Sequence, residues 1–144
     1  MREQWALALE LGLPVVVHNR DSNEAMLEAV RDGEHAGLAA DFHSFAGGLE
    51  MARELLEHGF YLGLSGMVTF RAADNVREVL TIAPAERLLV ETDAPYLTPH
   101  PHRGKVNSSY LVPWTVRALA EVAGVDVATV CATTRDATRR AFAL

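Results

Sequence analysis

The feature of this sequence that most constrains its fold is a recurring unit, in which a short apolar run is followed by a polar turn and an amphipathic segment. The apolar runs are 14–18, 38–42, 60–64 and 87–91. Strands that alternate with helices form βα units, and such units assemble into a parallel sheet. The pattern therefore predicts an α/β fold with four parallel strands. The continuous run 14–18 predicts a strand that is buried on both faces.

Residues typical of helix ends bound the amphipathic segments. Gly12 and Gly59 each end one predicted helix, and Asp126 is the predicted N-cap of the last one. Five of the predicted helices are 2–11, 49–58, 74–82, 113–123 and 126–142. A sixth is capped by Asp21 or Ser22 and ends at Arg31. Cys131 is expected to be a buried packing residue of the last helix, and His35 and His58 are expected to be solvated.

The length and composition favour a single domain, 1–144, with a substantial core. The chain has 144 residues, of which 49% are hydrophobic and 22% are charged, and this composition argues against disorder. A single cysteine excludes a disulfide framework and a Cys-rich zinc module. No apolar run reaches the roughly 18–20 residues of a membrane span. We therefore expect a cytoplasmic protein without a membrane partner.

The net charge of −6 argues against a protein that binds nucleic acid through a basic surface. It does not exclude a nucleic-acid substrate, because a metal ion in an active site can neutralise phosphate charge locally.

Three candidate metal ligands follow the ends of predicted strands. His18 and His43 end the first and second strands, and Asp93 lies just beyond the fourth. The carboxyl ends of parallel strands meet at one edge of the sheet, where α/β proteins build their sites. Imidazole nitrogen and carboxylate oxygen suit zinc, manganese and magnesium. The pattern thus favours a metal site at this edge.

Two further charged residues point to the same edge. Glu91 shares the strand parity of Asp93, and it is a candidate base, a residue that orients a ligand, or the ion-pair partner of Arg20. Asp93 and Glu91 are thus the candidate catalytic carboxylates. Arg20 is either a clamp for a phosphate or carboxylate group or the partner of Glu91 or Asp93. The loop around Arg103 carries prolines, a glycine and two cations, and it suits a stiff lip that faces a substrate.

Five motifs in order resemble the TatD family of metal-dependent hydrolases and deoxyribonucleases, over nearly the whole chain. They are LPVVVHNR (13–20), FHSFAG (42–47), GFYLGLSG (59–66), RLLVETDAPYL (87–97) and HRGKVN (102–107). The resemblance implies a (β/α)₈ barrel of the amidohydrolase kind with two divalent metal ions, Mg, Mn or Zn. It also implies phosphodiester cleavage in DNA, as a 3′→5′ exonuclease on single strands. By position, His18, His43 and Asp93 match metal ligands, and Arg20 and Arg103 become candidate phosphate contacts.

The chain also departs from the family pattern. The amino-terminal His-x-His pair and the glutamate that bridges the metals have no counterpart in the sequence. The chain therefore resembles the last three-fifths of a barrel that lacks roughly the first three βα units. Either the chain is part of an ordinary hydrolase, or it is a half-barrel that acts as a binding or oligomerisation module; a related amide or ester hydrolase is a further alternative. An exposed edge of a parallel sheet favours a homo-oligomer or a partner segment.

Overall fold

The computed structural model describes residues 1–33 and 35–144. Its four strands are β1 (Val15–His18), β2 (Ala40–His43), β3 (Tyr61–Leu64) and β4 (Leu88–Val90). Its six α-helices are α1 (Arg2–Leu11), α2 (Asn23–Arg31), α3 (Gly48–Glu57), α4 (Asp74–Val79), α5 (Val112–Ala123) and α6 (Val127–Phe142). Short 3₁₀ helices lie at Gly66–Thr69, Ala85–Arg87 and Ser109–Leu111.

The four strands form one parallel sheet in the order β1-β2-β3-β4, which confirms the predicted α/β fold. Helical segments connect successive strands, as parallel pairing requires. The register pairs His18 with His43 across β1 and β2. The described part of the chain thus holds four strands where a complete (β/α)₈ barrel has eight. A barrel that lacked three of its eight βα units would keep five strands, one more than the structure shows.

One face of the sheet packs against the helices and forms the main core. Val17, Phe42 and Leu62 share this face through the strand register. They belong to one cluster of buried residues with side chains from every helix: Trp5, Val30, Leu55, Val79, Leu119 and Val130. Burial of such apolar side chains is the main favourable contribution to folding. Packing of this core fixes the positions of the strands, and the polar side chains of the sheet lie on its other face.

The opposite face is only partly covered. Tyr61 and Leu89 on this face form a second buried cluster with Ala137 and Ala141 of α6. Val16 of β1, in contrast, is 55% exposed. The prediction that β1 is buried on both faces is therefore wrong. β1 is an edge strand, and α6 covers this face of the sheet only over β3 and β4.

The helix ends confirm several predictions from local sequence signals. Gly12 ends α1 with a left-handed φ of 63°, which glycine adopts without strain. The Asp126 side chain caps α6 by accepting a hydrogen bond from the Thr129 backbone N–H at 2.7 Å. Helix α4 ends three residues earlier than predicted, at Val79.

Two further predictions about burial were wrong. Cys131 is exposed on α6. His35 is buried, and its ring packs against the rings of Trp5 and Phe60. Both depend on how distant segments pack, which local sequence does not show. Over the residues that the structure describes, no helix has both the length and the apolar character needed to cross a bilayer.

Neighbouring valines on β1 provide a test of the one-sided core. Val17 is 5% exposed, whereas Val16 is 55% exposed. We expect Val17→Ala to lower the free energy of unfolding by about 1–3 kcal/mol, because it removes buried methyl groups. Val16→Ala should cost less than about 1 kcal/mol. Urea unfolding of the two variants measures both values, and equal losses would show that the open face of β1 is covered in solution.

Candidate metal centre

A histidine between two carboxylates forms the centre of the candidate site. His43 ends β2, and Glu91 and Asp93 follow β4 at the same edge of the sheet. His43 Nδ1 lies 2.8 Å from Glu91 Oε1, and His43 Nε2 lies 3.1 Å from Asp93 Oδ1. All three side chains are partly buried. Both ring nitrogens thus face a carboxylate, which fixes the orientation of the imidazole.

The Glu91 carboxylate reaches His43 across the intervening strand β3. The Glu91 backbone N–H donates to the Leu64 carbonyl at 3.1 Å, so Glu91 continues the pairing of β4 with β3. Its Oε1 also accepts a hydrogen bond from the Ser44 backbone N–H. A Cβ atom on Gly63 would lie 2.5 Å from this oxygen. Gly63 therefore leaves the space that the Glu91 carboxylate occupies.

Asp41 adds a third carboxylate to the cluster. It lies two residues before His43 on the same face of β2, it is only 4% exposed, and its Oδ1 has no hydrogen-bond partner. Burial and, to a smaller extent, the nearby Glu91 carboxylate together raise the pKa of Asp41 to about 7, although the attraction of His43 for the charged form lowers it. In the absence of a cation, Asp41 therefore keeps its proton up to nearly neutral pH.

Opposing effects act on the imidazole of His43. Burial lowers the pKa of His43, but hydrogen bonds and charge attraction from Glu91 and Asp93 outweigh burial and raise it above its usual value. Without a metal, the carboxylates thus favour a protonated ring between them. A cation at this position would compete with that proton, since a histidine ligand binds metal through a deprotonated nitrogen.

The other predicted site residues lie at the end of β1, just after it, or in the loop after Asp93, and all three are exposed. His18 is exposed and is the register partner of His43, one strand away at the usual spacing of about 4.8 Å. Arg20 is exposed, and the carboxylate beside it belongs to Asp21, at 3.9 Å, rather than to Glu91 or Asp93. Arg103 is exposed, and its guanidinium lies 3.9 Å from the centre of the Phe70 ring.

The donor chemistry of the cluster fits a divalent cation. Imidazole nitrogen and carboxylate oxygen are the ligands that Zn²⁺ and Mn²⁺ prefer, and a buried carboxylate oxygen without a partner favours a cation nearby. The structure brings His43 and Asp93 together and places His18 beside them. Within residues 1–33 and 35–144, however, no three His, Cys, Asp or Glu residues are grouped closely enough to hold one metal ion. The described residues therefore supply only part of a ligand set.

Sequence reasoning missed two residues of this cluster, Asp41 and Gly63. The strand parity of Asp41 with His43 would have placed both side chains on one face. A glycine inside a strand often marks a close approach by another group, and Gly63 is such a residue. The closure of Glu91 onto His43 itself depends on contacts between residues 48 positions apart.

A parallel α/β sheet with histidine and carboxylates at its carboxyl edge is the architecture of metal-dependent hydrolases of the barrel type. Comparison with known proteins identifies the particular family. The model of the family described as TatD related DNase matches residues 1–143. The chain belongs to this family.

Curated relatives support this assignment. The chain is 45% identical over 138 residues to a Mycobacterium tuberculosis protein named "Uncharacterized metal-dependent hydrolase TatD", covering 96% of this chain and 52% of that protein. It is 38% identical to the Bacillus subtilis metal-dependent hydrolase YabD, covering 98% and 55%. It is 34% identical to an Escherichia fergusonii protein named 3′-5′ ssDNA/RNA exonuclease TatD, covering 98% and 56%. The chain thus spans about half the length of these relatives.

Solved structures confirm the fold. The crystal structure of the TatD homologue YjjV from Escherichia coli superposes with a TM-score of 0.90 at 25% identity, over 99% of this chain and 54% of that one. A TatD-family hydrolase from Entamoeba histolytica superposes with a TM-score of 0.80 at 16% identity, over 98% and 55%. The four-stranded sheet therefore corresponds to part of the barrel found in these proteins.

The raised pKa of Asp41 predicts how the stability of the metal-free chain depends on pH. Between the ordinary value of 3.8 and about 7, folded Asp41 holds a proton that the unfolded chain releases. The contribution of Asp41 to the free energy of unfolding should therefore fall as the pH rises through this window, by on the order of 4 kcal/mol. In Asp41→Asn this contribution is absent, so the stability of the variant relative to the wild type should increase from pH 4 to pH 7.

Urea unfolding in EDTA at several pH values measures this difference. Asp21→Asn changes the net charge equally at an exposed position and is the matched control. A difference between Asp41→Asn and the wild type that stays constant from pH 4 to pH 7 would contradict the assignment.

Proposed function

We propose that this chain carries part of a divalent-metal hydrolase centre that cleaves phosphodiester bonds in single-stranded DNA from the 3′ end. The observation that carries the proposal is the contact of His43 with both Glu91 and Asp93, at 2.8 and 3.1 Å. This contact lies at the carboxyl edge of the sheet, in a chain of the TatD-related DNase family. The proposed reaction class is metal-assisted hydrolysis.

In this proposal, His18, His43 and Asp93 hold the metal, and the complete site takes two ions of Mg, Mn or Zn. A bound divalent cation supplies Lewis-acid activation of water and neutralises charge on the phosphate. The donor types of these residues suit that role. His43 and Asp93 already lie within 3.1 Å of each other, so ligation by both needs little rearrangement of the chain.

The carboxylates of Glu91 and Asp41 have separate roles. Glu91 contacts His43 Nδ1 and the Ser44 backbone N–H, and we assign to it the orientation of the imidazole. Of the alternatives that the sequence left open for Glu91, these contacts favour the orienting role. Asp41 can take up or release a proton near neutral pH beneath the ligands, and it adds negative charge when a cation is present.

The substrate class rests on charge and on a relative. Arg20 and Arg103 are exposed cations near the carboxyl edge, and guanidinium groups pair well with phosphate oxygens. The Escherichia fergusonii relative is named a 3′-5′ ssDNA/RNA exonuclease. We therefore place single-stranded DNA before an amide or ester as the substrate.

The incomplete ligand set also shapes the proposal. We propose that the chain is a single domain, 1–144, equivalent to the later part of a barrel, and that a complete centre needs further donors from another polypeptide segment or subunit. The described residues lack a three-ligand group, and Val16 leaves the β1 edge uncovered. The same two observations favour a second candidate function, a non-catalytic half-barrel that binds or oligomerises through this edge.

We expect the 144-residue chain by itself to bind Mn²⁺ weakly and to cleave DNA slowly. Isothermal titration measures the Mn²⁺ affinity, and release of nucleotides from a 3′-labelled single strand measures cleavage. His43→Ala should weaken Mn²⁺ binding by at least about tenfold and abolish the residual cleavage, because it removes the central ligand.

His58→Ala is the matched control, since His58 is an exposed histidine at the end of α3, outside the cluster and outside the loop that follows Asp93. Its Mn²⁺ affinity and cleavage rate should equal those of the wild type. Cleavage by His43→Ala at the wild-type rate would refute the proposed centre. Measurable Mn²⁺ affinity without any cleavage would favour the non-catalytic half-barrel.

A further inference from the structure

The loop that leaves the candidate metal centre is held in place by its own hydrogen bonds. We call residues 94–108, between Asp93 and the 3₁₀ helix Ser109–Leu111, the rim loop. The buried Asn107 closes it, because its Nδ2 donates to the Tyr96 carbonyl at 2.6 Å and its backbone N–H donates to the Pro95 carbonyl at 3.0 Å. Within the loop, the Thr98 hydroxyl donates to the Lys105 carbonyl at 2.6 Å. The backbone of the rim loop is thus bonded at several points.

Tyr96 stands out in this loop because its backbone is fixed while its ring is not covered. The Tyr96 N–H donates to the Asp93 carbonyl at 2.6 Å, and the Tyr96 carbonyl accepts from Asn107. The side chain is nevertheless 70% exposed. An aromatic ring on a fixed backbone can bind a ligand with little loss of conformational entropy. Tyr96 follows Asp93, a candidate metal ligand, by three residues, and the backbone hydrogen bond between them closes a turn.

The same loop carries a cation that is held in place. The Arg103 guanidinium lies over the Phe70 ring, 3.9 Å from the ring centre, and donates to the Thr98 carbonyl at 3.4 Å. Contact with an aromatic face and a carbonyl leaves the remaining N–H groups of an exposed guanidinium available to an anion. The rim loop therefore presents an aromatic face and a positive charge within eight residues.

We propose that Tyr96 is a base-stacking residue, which binds the base of the nucleotide nearest the metal centre while Arg103 contacts a backbone phosphate. Alternation of stacking rings and cations is how proteins hold single strands without reading their sequence. A terminal base of a single strand can leave its neighbour and stack on the ring without breaking a base pair, whereas a paired base cannot, so this arrangement favours unpaired DNA. The inference rests on the proposed function and adds a residue that positions the substrate.

Binding of single-stranded DNA with and without terminal bases tests the role of Tyr96. The probe is a fluorescein-labelled oligodeoxynucleotide with phosphorothioate linkages, which resist cleavage, in Mg²⁺; a second probe has abasic sites at its last two 3′ positions. The wild type should bind the abasic probe about five- to a hundredfold more weakly, as expected for loss of one stacked base. Tyr96→Ala should bind the complete probe more weakly than the wild type does, by a similar factor. Its affinity for the abasic probe should be nearly the same as its affinity for the complete one.

Two further variants separate stacking from other effects. Tyr96→Phe keeps the ring and should bind both probes like the wild type. Tyr110→Ala is the matched control, because Tyr110 is 73% exposed but lies beyond the rim loop, and it should leave both affinities unchanged. Urea unfolding should give the same midpoint for all variants, because both side chains are exposed.

The outcomes distinguish this inference from the proposed function. Two results would overturn the stacking role of Tyr96 while the proposed function stands, provided that the wild type binds the complete probe. In the first, Tyr96→Ala binds the complete probe as well as the wild type does. In the second, Tyr96→Ala binds the abasic probe much more weakly than the complete one. An equal loss in Tyr110→Ala also overturns it. If the wild type binds neither probe at any protein concentration, the proposed function fails, and the role of Tyr96 fails with it.

Discussion

The candidate site depends on the parallel pairing of β2, β3 and β4. Because the three strands run in the same direction, their carboxyl ends meet at one edge, and His43 comes within reach of Glu91 and Asp93 across an intervening strand. The reach succeeds because Gly63 has no side chain where the Glu91 carboxylate lies. A single glycine in the middle strand thus leaves the space in which Glu91, after β4, contacts His43 of β2.

This arrangement concentrates negative charge. Asp41, Glu91 and Asp93 surround one imidazole, and burial makes three ionised carboxylates costly in the absence of a cation. The protein meets this cost in two ways in the metal-free state: Asp41 retains its proton, which its raised pKa favours, and His43 gains one. A divalent cation would replace both protons, so the electrostatics of the cluster favour metal binding and couple it to pH.

The two faces of the sheet divide stability from function. The helix-covered face carries the main core, and it fixes the strand positions to which the site residues are attached. The other face carries the polar cluster, and α6 covers it only over β3 and β4, which leaves the β1 edge open. This chain covers about half the length of its curated relatives. The exposed side chain of Val16 and the polar cluster thus lie on the same face of the sheet.

The sequence by itself determined the elements of this protein. Apolar runs and helix-boundary residues such as Gly12 and Asp126 act over a few positions, so the strands, the helices and the parallel topology could be predicted, as could the meeting of His43 and Asp93 at one edge. Only the tertiary structure decided which side chains of those elements are buried and which of them contact one another. The exposure of Val16, the burial of His35 and the coupling of Asp41 to Glu91 arise from contacts between distant segments, and periodicity along the chain carries no information about them.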